Sequence, residues 1–459
     1  MADDRLRIFT LNCWGLKYVS KNRRERVDAI ARFLADSDYD IVTLQELWVF
    51  ADYEFVRDAV SKNLPHSKFF YSGALGAGLV IFSRFPIIAA TVHPYSLNGS
   101  PIDVIAGDWF VGKAAASVLI AHPILGHTQI FNTHLFAKGG DEGPDHFKAH
   151  RLVGAWEFAK LARQAAEVGR YVIAAGDFNS VPIAPPMHII RNHADLRDAW
   201  DDSHKEVRGL SIAGQPTPID AIHMYGVTAD SPLNSHSAGK PLEPYARKYQ
   251  GKRLDYVLYR SPRRPNERIP NLECVDTRVL LTENVPGTNY SYSDHFGLEA
   301  TFEITSPDGE ITNSEETPNL ASIDGTEVAS FTLNSVSNLA KPQQLSPELI
   351  SSTITSLTAR YRFAASQARL HLTIFVLCIG LLFAIIIGTA WLPKSWINPI
   401  FTVLTIALSW LATTMLYIGF LYGNWEINAL TNIIEELEIY RVTLEERGAI
   451  YASRRSIAR

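Results

Sequence analysis

The sequence predicts an α+β domain joined by a polar linker to a pair of membrane-spanning helices, and three observations predict it. From Leu6 to about Ile304, short runs of strand character alternate with stretches of helical spacing. From Thr305 to about Gln344 the chain is mostly Ser, Thr, Asn, Glu and Pro with little periodic apolar content, the composition of a flexible linker. Beyond it, 370–392 and 400–423 contain no Asp, Glu, Lys or Arg, and each reaches the roughly 20 apolar residues that a bilayer crossing requires. The expected division is 1–304 as the catalytic-type domain, 305–345 as linker, 346–369 as a juxtamembrane helix, 370–423 as a transmembrane hairpin, and 424–459 as a cytosolic amphipathic helix.

Bulk properties narrow the function. A net charge of −5 over 459 residues offers no basic field for nucleic acid. Cys13, Cys274 and Cys378 lie far apart without CxxC spacing, which argues against a disulfide scaffold or a zinc site.

The strands of the first domain end in chemistry. The stretch from Tyr171 to Ala175 reads as a buried strand, and Gly176 then leads into Asp177-Phe178-Asn179. On an extended backbone, Asp177 and Asn179 would point the same way. The strand from Leu6 ends in Asn12, and that from Ile41 ends at Gln45-Glu46. The strand from Gln129 ends in His134, Arg253 to Tyr259 carries Asp255, and Asp294-His295 precedes the last strand. Any one such group is ordinarily just a satisfied polar residue. Six strand ends or turns of this chemical type at one edge predict a site. Helices are expected over 22–35, about 51–62 and 150–168, and a long loop over 209–250, where His223, His236, Lys240, Arg247 and Lys248 could meet a polar headgroup.

The motifs LNCWG, LQE, NTHL, GDFN, LDYVL and SDHFG, in that order, resemble the endonuclease/exonuclease/phosphatase (DNase I-like) superfamily. The longer stretches LNCWGLKYVSKNRRERVDAIA, YSGALGAGLVIFSRFPI and GDWFVGKAA resemble its neutral sphingomyelinase branch, most of all the inositol phosphosphingolipid phospholipase C type. The resemblance covers about Leu6 to Phe302 and implies a four-layer α/β/β/α sandwich. It also implies a Mg²⁺-dependent phospholipase C that hydrolyses inositol phosphosphingolipids, sphingomyelin or both to ceramide and a phosphorylated headgroup. A phosphoinositide phosphatase and a nuclease are the alternatives on the same fold.

The resemblance assigns roles. Glu46 is expected to be the primary Mg²⁺ ligand, since that ion takes few protein carboxylates, with Asn12 and Asp294 assisting. His295 is expected to be the general base, with Asp255 fixing its tautomer. His134 and Asn179 would face the transition-state oxygens, and Asp177 would orient the attacking water or leaving group. Residues 107–114 nearly spell a phosphate-binding loop but lack the final Ser or Thr and run into a strand, so ATP is not expected. In the resembling branch, an Asp and a Lys five positions apart act here as a regulatory switch, and Asp108 and Lys113 match.

The membrane end completes the expectation. Arg360, Arg362 and Arg369 precede the hairpin, several arginines follow it, and its connection carries only Lys394. The bias places both ends and the catalytic domain in the cytosol. An integral protein of the endoplasmic reticulum or mitochondrial outer membrane is the expected location. In the resembling branch anionic phospholipids activate the enzyme, so they are expected as activators here, bound by those three arginines, with sphingolipid in the bilayer as substrate. Leu430, Ile433, Leu437, Tyr440 and Leu444 recur at 3-4-3-4 spacing. A second protomer or the catalytic domain would bury that seam, and a homodimer is the favoured reading.

Overall fold

The computed structural model describes residues 4–103, 107–140, 143–206, 215–263, 268–305, 344–391 and 395–457. Nearly all of the expected linker, at 306–343, and Lys394 lie outside the described residues.

Two six-stranded sheets face each other. The first contains β1 (Arg5–Asn12), β2 (Ile41–Gln45), β3 (His66–Phe70), β4 (Leu79–Ser83), β11 (Asn271–Leu280) and β12 (Gly297–Thr305), ordered β11-β12-β1-β2-β4-β3. The second contains β5 (Ile87–Pro94), β6 (Ala114–His122), β7 (Gly126–His134), β8 (Tyr171–Asp177), β9 (Arg197–Asp198) and β10 (Asp255–Arg260), ordered β5-β6-β7-β8-β10-β9. β2 and β8 are buried throughout because both faces of each strand are covered, which is why they read as continuous apolar runs.

Apolar side chains of the inner faces, among them Ile8, Ile41, Ile81, Val118, Ile130, Ile173 and Phe302, form the core between the sheets. Helices α1 (Arg23–Ala35) and α2 (Phe50–Val60) cover the outer face of the first sheet. On the second sheet lie α3 (Asp145–Glu167) and α4 (Pro185–Ala194). This is the four-layer sandwich expected from the sequence. The segment expected to be a long loop contains two short helices, α6 (Pro218–Tyr225) and α7 (Pro244–Tyr249), which follow α5 (Ala199–Ser203). Each has a proline in its first turn and ends in a left-handed cap, Gly226 or Gln250, so its start and stop are locally encoded.

The C-terminal part is a bent pair of long helices. α8 (Pro347–Thr389) runs without interruption from the juxtamembrane region through the first apolar stretch, capped by the Ser346 side chain accepting from the Leu349 amide at 3.2 Å. α9 (Asn398–Leu416) continues through a π-helical segment, Tyr417–Tyr422, into α10 (Gly423–Ile457). Only 11% of the most apolar window of α8 is buried, so it is not the core helix of a globular domain. The two helices meet through small residues, with Gly419 and Gly423 packed against Ala368.

Below the apolar stretches both helices dock on α3. Leu345, Ile350 and Leu357 from one side and Leu430, Ile433 and Leu437 from the other join the cluster built on Leu152, Trp156 and Ala159. The Glu436 carboxylate accepts from Trp156 Nε1 at 2.7 Å and Lys160 Nζ at 2.6 Å. Of the two expected partners for the seam, the structure shows the catalytic domain: Leu430, Ile433 and Leu437 are buried within one chain, with Tyr440 and Leu444 partly buried beside them.

Candidate active site

The strand ends converge as expected, at the edge where the two sheets meet. β1 and β2 run parallel and place Asn12 beside Gln45, one residue before Glu46. In the other sheet Asp177 pairs with His134 on β7 and with Asp255 on β10. Beneath them a buried amide pair ties the sheets together: Gln45 Nε2 donates to Asn132 Oδ1 at 2.8 Å, and Asn132 Nδ2 donates to the carbonyls of Leu44 and Val80 at 2.9 and 2.8 Å.

Asp177 stands at the centre. Its Oδ2 accepts from Asn12 Nδ2 at 3.0 Å, lies 3.4 Å from His134 Nε2 and 3.8 Å from His295 Nε2. His295 Nδ1 is 2.8 Å from Asp255 Oδ2. His295 therefore has a carboxylate at each ring nitrogen, and the ligand atoms of Asp177, Asp255 and His295 all lie within 4.8 Å of one another. Gly176 makes this possible. Its φ is 142°, and a Cβ there would collide with the Thr133 carbonyl on the neighbouring strand.

One expectation needs correction, and the surroundings of Asn12 and His134 add detail to theirs. Asn179 is not extended: its φ is 48°, its amide N–H donates to Asp177 Oδ1 at 2.8 Å, and its side-chain nitrogen donates to the Leu135 carbonyl at 2.9 Å. The strand ends at Asp177 in an Asx-type turn, so the two side chains do not project in parallel. Asn12 presents nitrogen rather than oxygen to the carboxylates, at 3.0 Å from Asp177 and 3.3 Å from Glu46, while its Oδ1 accepts from the Trp14 amide at 3.0 Å. Both ends of the amide are satisfied in this orientation, in which Asn12 bridges the two acids. His134 Nε2 accepts from Lys113 Nζ at 3.1 Å, which makes the lysine the donor at this position.

Asp108 and Lys113 do come together, at 3.5 Å, and Lys113 also donates to the Leu135 carbonyl at 3.0 Å. Lys113 thereby touches the same carbonyl as Asn179. Of the three arginines, Arg360 is buried and bonded to Glu426 at 2.6 Å, which removes it from the expected lipid surface; Arg362 and Arg369 are exposed. A cleft of about 430 Å³ opens over His295, Asp294 and Asn179, with Trp14, His236 and Lys240 on its walls. His223, Arg247 and Lys248 do not line it.

Burial sets the electrostatics. It pushes Glu46 up to about 7, reinforced by Asp294, and Asp177 up to about 6 despite the nearby charges of His295 and Lys113. Burial also opposes charge on His295, but Asp255, Asp177 and Asp294 outweigh it and raise the imidazole well above its ordinary range. His134 is held well below that range by burial, then by Lys113 and His295. Glu46 and Asp177 are thus raised by burial in a cluster that also holds Asp255 and Asp294. A divalent cation suits such a cluster, and the ligand atoms of Asp177, Asp255 and His295 lie close enough together to hold one.

Sequence reasoning missed Arg26 and the Gln45–Asn132 pair. Arg26 is fully buried and donates to the carbonyls of Cys13, Trp14 and Tyr292, clamping the turns that carry Asn12 and Asp294. An arginine beside Val27 on an otherwise apolar helix face is the signal that would have found it.

The profile of the Endonuclease/Exonuclease/phosphatase family matches residues 9–295, and the chain belongs to that family. Its relatives include the Inositol phosphosphingolipids phospholipase C of Schizosaccharomyces pombe, 35% identical over 442 residues, covering 94% of this chain and 93% of that one. The protein of the same name from Saccharomyces cerevisiae is 32% identical over 325 residues, covering 65% of this chain and 64% of that one. Sphingomyelin phosphodiesterase 2 of Rattus norvegicus is 31% identical over 298 residues, covering 65% and 64%. The first alignment is long enough to take in both apolar helices.

Proposed function

We propose that this chain is a membrane-anchored phospholipase C that hydrolyses sphingolipid phosphodiesters, releasing ceramide and a phosphorylated headgroup. The observation that carries the reading is one chain holding both the His295-centred site and two bilayer-length helices, along nearly the whole length of a relative named for that activity.

In the reaction, His295 in its neutral form takes a proton from water at Nε2 as the water oxygen attacks phosphorus, the bond from phosphorus to the ceramide oxygen breaks, and that oxygen takes a proton from solvent. Asp255 holds the Nδ1–H and stabilises the imidazolium, a contribution of roughly 10²–10⁴-fold for a positioned base. Asp177 lies near enough to Nε2 to orient that water. Lys113 presents its ammonium beside His134, where the phosphoryl oxygens gather negative charge. Mg²⁺ held by Glu46 and Asp294 would supply Lewis-acid stabilisation of those oxygens. The hairpin keeps the domain at the bilayer, and exposed Arg362 and Arg369 favour anionic phospholipids by about 1 kcal/mol each.

The direct experiment offers purified protein, with Mg²⁺, inositol phosphosphingolipid, sphingomyelin, phosphoinositide and DNA side by side. Release of ceramide from either sphingolipid, abolished reversibly by chelation, is expected. Hydrolysis of only phosphoinositide or DNA would overturn the reading.

A further inference from the structure

A second cavity, of about 500 Å³, lies between the catalytic domain and the π-helical segment Tyr417–Tyr422. Its walls are mostly apolar, its size suits a small-molecule site, and its lining includes Ala74, Tyr95, Trp109, Tyr417 and Leu421. Two features set it apart from a packing defect. Tyr417 and Leu421 belong to the end of the apolar stretch expected to cross the bilayer, so one wall continues directly from that stretch. Lys113 lines the same cavity, and its ammonium is 3.1 Å from His134 in the catalytic centre.

The surrounding backbone is built to bring these parts together. Gly73 forms an isolated bridge with Val111, and a Cβ on Gly112 would collide with Ser72, so the 71–76 and 107–113 loops touch backbone to backbone. Tyr422 Oη donates to the Gly99 carbonyl, and Trp425 Nε1 donates to the Ser96 carbonyl at 3.0 Å. The π-helical turn adds a residue to the helix where it faces the cavity, a distortion common at functional positions. Next in sequence to the lining residues Ser72 and Ala74, Tyr71 and Leu75 are 62% and 55% exposed, an apolar surface suited to lipid.

We infer that this cavity receives a hydrocarbon chain of the lipid substrate, drawn from the bilayer along Tyr417 and Leu421 and leading to Lys113 and the catalytic centre. The inference rests on the proposed sphingolipid activity and names the part of that site which recognises the chain. It makes chain length and membrane depth determinants of turnover.

The test compares Ala74→Phe, Leu421→Trp and wild type on a long-chain sphingolipid in vesicles and on a short-chain, water-soluble phosphodiester with the same headgroup. Filling the cavity should lower kcat/KM for the long-chain lipid on the order of tenfold while sparing the soluble substrate. Tyr417→Ala should shift preference toward bulkier chains. Equal rates on both substrates, or equal losses on both, would overturn the inference. Independently of turnover, a long-chain sphingolipid carrying a terminal diazirine should label 72–74 or 109–113 in wild-type protein, on the catalytic-domain side of the cavity. Labelling confined to 376–389 and 400–411 would overturn it. If wild type cleaves neither sphingolipid, the activity reading fails, and the labelling pattern still decides whether a chain enters the cavity.

Discussion

His295 is defined by what surrounds it. A carboxylate at each ring nitrogen favours the imidazolium, so Asp255 both orients the base and stabilises the charge it acquires. Asp255→Asn should therefore reduce turnover by about 10²–10⁴-fold. The unfolding midpoint should stay near wild type, because the isosteric amide keeps the shape; steady-state rates and thermal melts on one preparation check both halves. Asn132 has the opposite profile. It contacts no reacting group, yet it satisfies Gln45 and two carbonyls between the sheets. Asn132→Ala should cost about 2–4 kcal/mol by leaving buried polar groups unpaired, read by denaturant unfolding. The two residues also differ in legibility. His295 and Asp255 stood out in sequence because a strand-end His and a strand-borne acid have few uses together. Asn132 looked like any polar residue in a strand, since its partners lie on β2 and β4 and only the stacking of the two sheets brings them within reach.

Helices and loops show the same division between local and distant causes. β8 and α8 were readable because their patterns are set by their own residues: a run buried on both faces, and a Ser-Pro start feeding an apolar stretch. The turn at Asn179 was not, because its left-handed backbone is fixed by hydrogen bonds to Asp177 and to Leu135 on the preceding strand connection. Nor was the partner of the C-terminal seam, since the same apolar spacing suits another helix or α3. What joins these helices to the catalytic loops is a buried polar knot. The Gly99 amide donates to His150 Nδ1 at 2.9 Å, so the His150 proton sits on Nε2 and is donated to Glu426 at 2.8 Å, where Arg360 also binds. Protonating Nδ1 would eject Gly99. Burial first, with Arg360 adding, holds His150 below its ordinary range, so the folded state resists the second proton. Such a group withdraws stability as pH falls below the unfolded value of about 6.5. Burial raises Glu426, but His150 and Arg360 outweigh it and lower its pKa; its contribution persists to more acidic pH, until the pH falls through that lowered value. Protection of the Gly99 amide, measured against its intrinsic exchange rate at each pH, should fall as pH drops through the histidine range. In His150→Phe that dependence should vanish; an unchanged profile would place the pH response elsewhere.

Across the whole molecule, α8 and α10 form an added layer rather than a tether. A free linker would let the catalytic domain swing away from the bilayer, but Leu357, Leu430 and Leu437 are fully buried on α3 and fix it in place. The same docking puts both ends of the hairpin on the side of the catalytic domain. Protease added to sealed vesicles should therefore digest the catalytic domain and the segment after Tyr440 together or protect them together. Docking also predicts how the protein responds to truncation. Removing everything after 344 would strip four buried leucines, Leu345, Leu357, Leu430 and Leu437, and their neighbours from α3, at about 1.5–3 kcal/mol per buried side chain. That domain should aggregate or melt well below the full chain. Excising only 370–423 and joining 369 to 424 by a flexible linker keeps the layer, so light scattering and thermal melts should show a soluble, cooperatively folded protein. It should still hydrolyse a short-chain soluble phosphodiester while losing long-chain substrate in vesicles, because both the anchor and the Tyr417–Leu421 wall are gone. A fully stable fragment ending at 344 would show instead that the helices add an anchor and nothing to the fold.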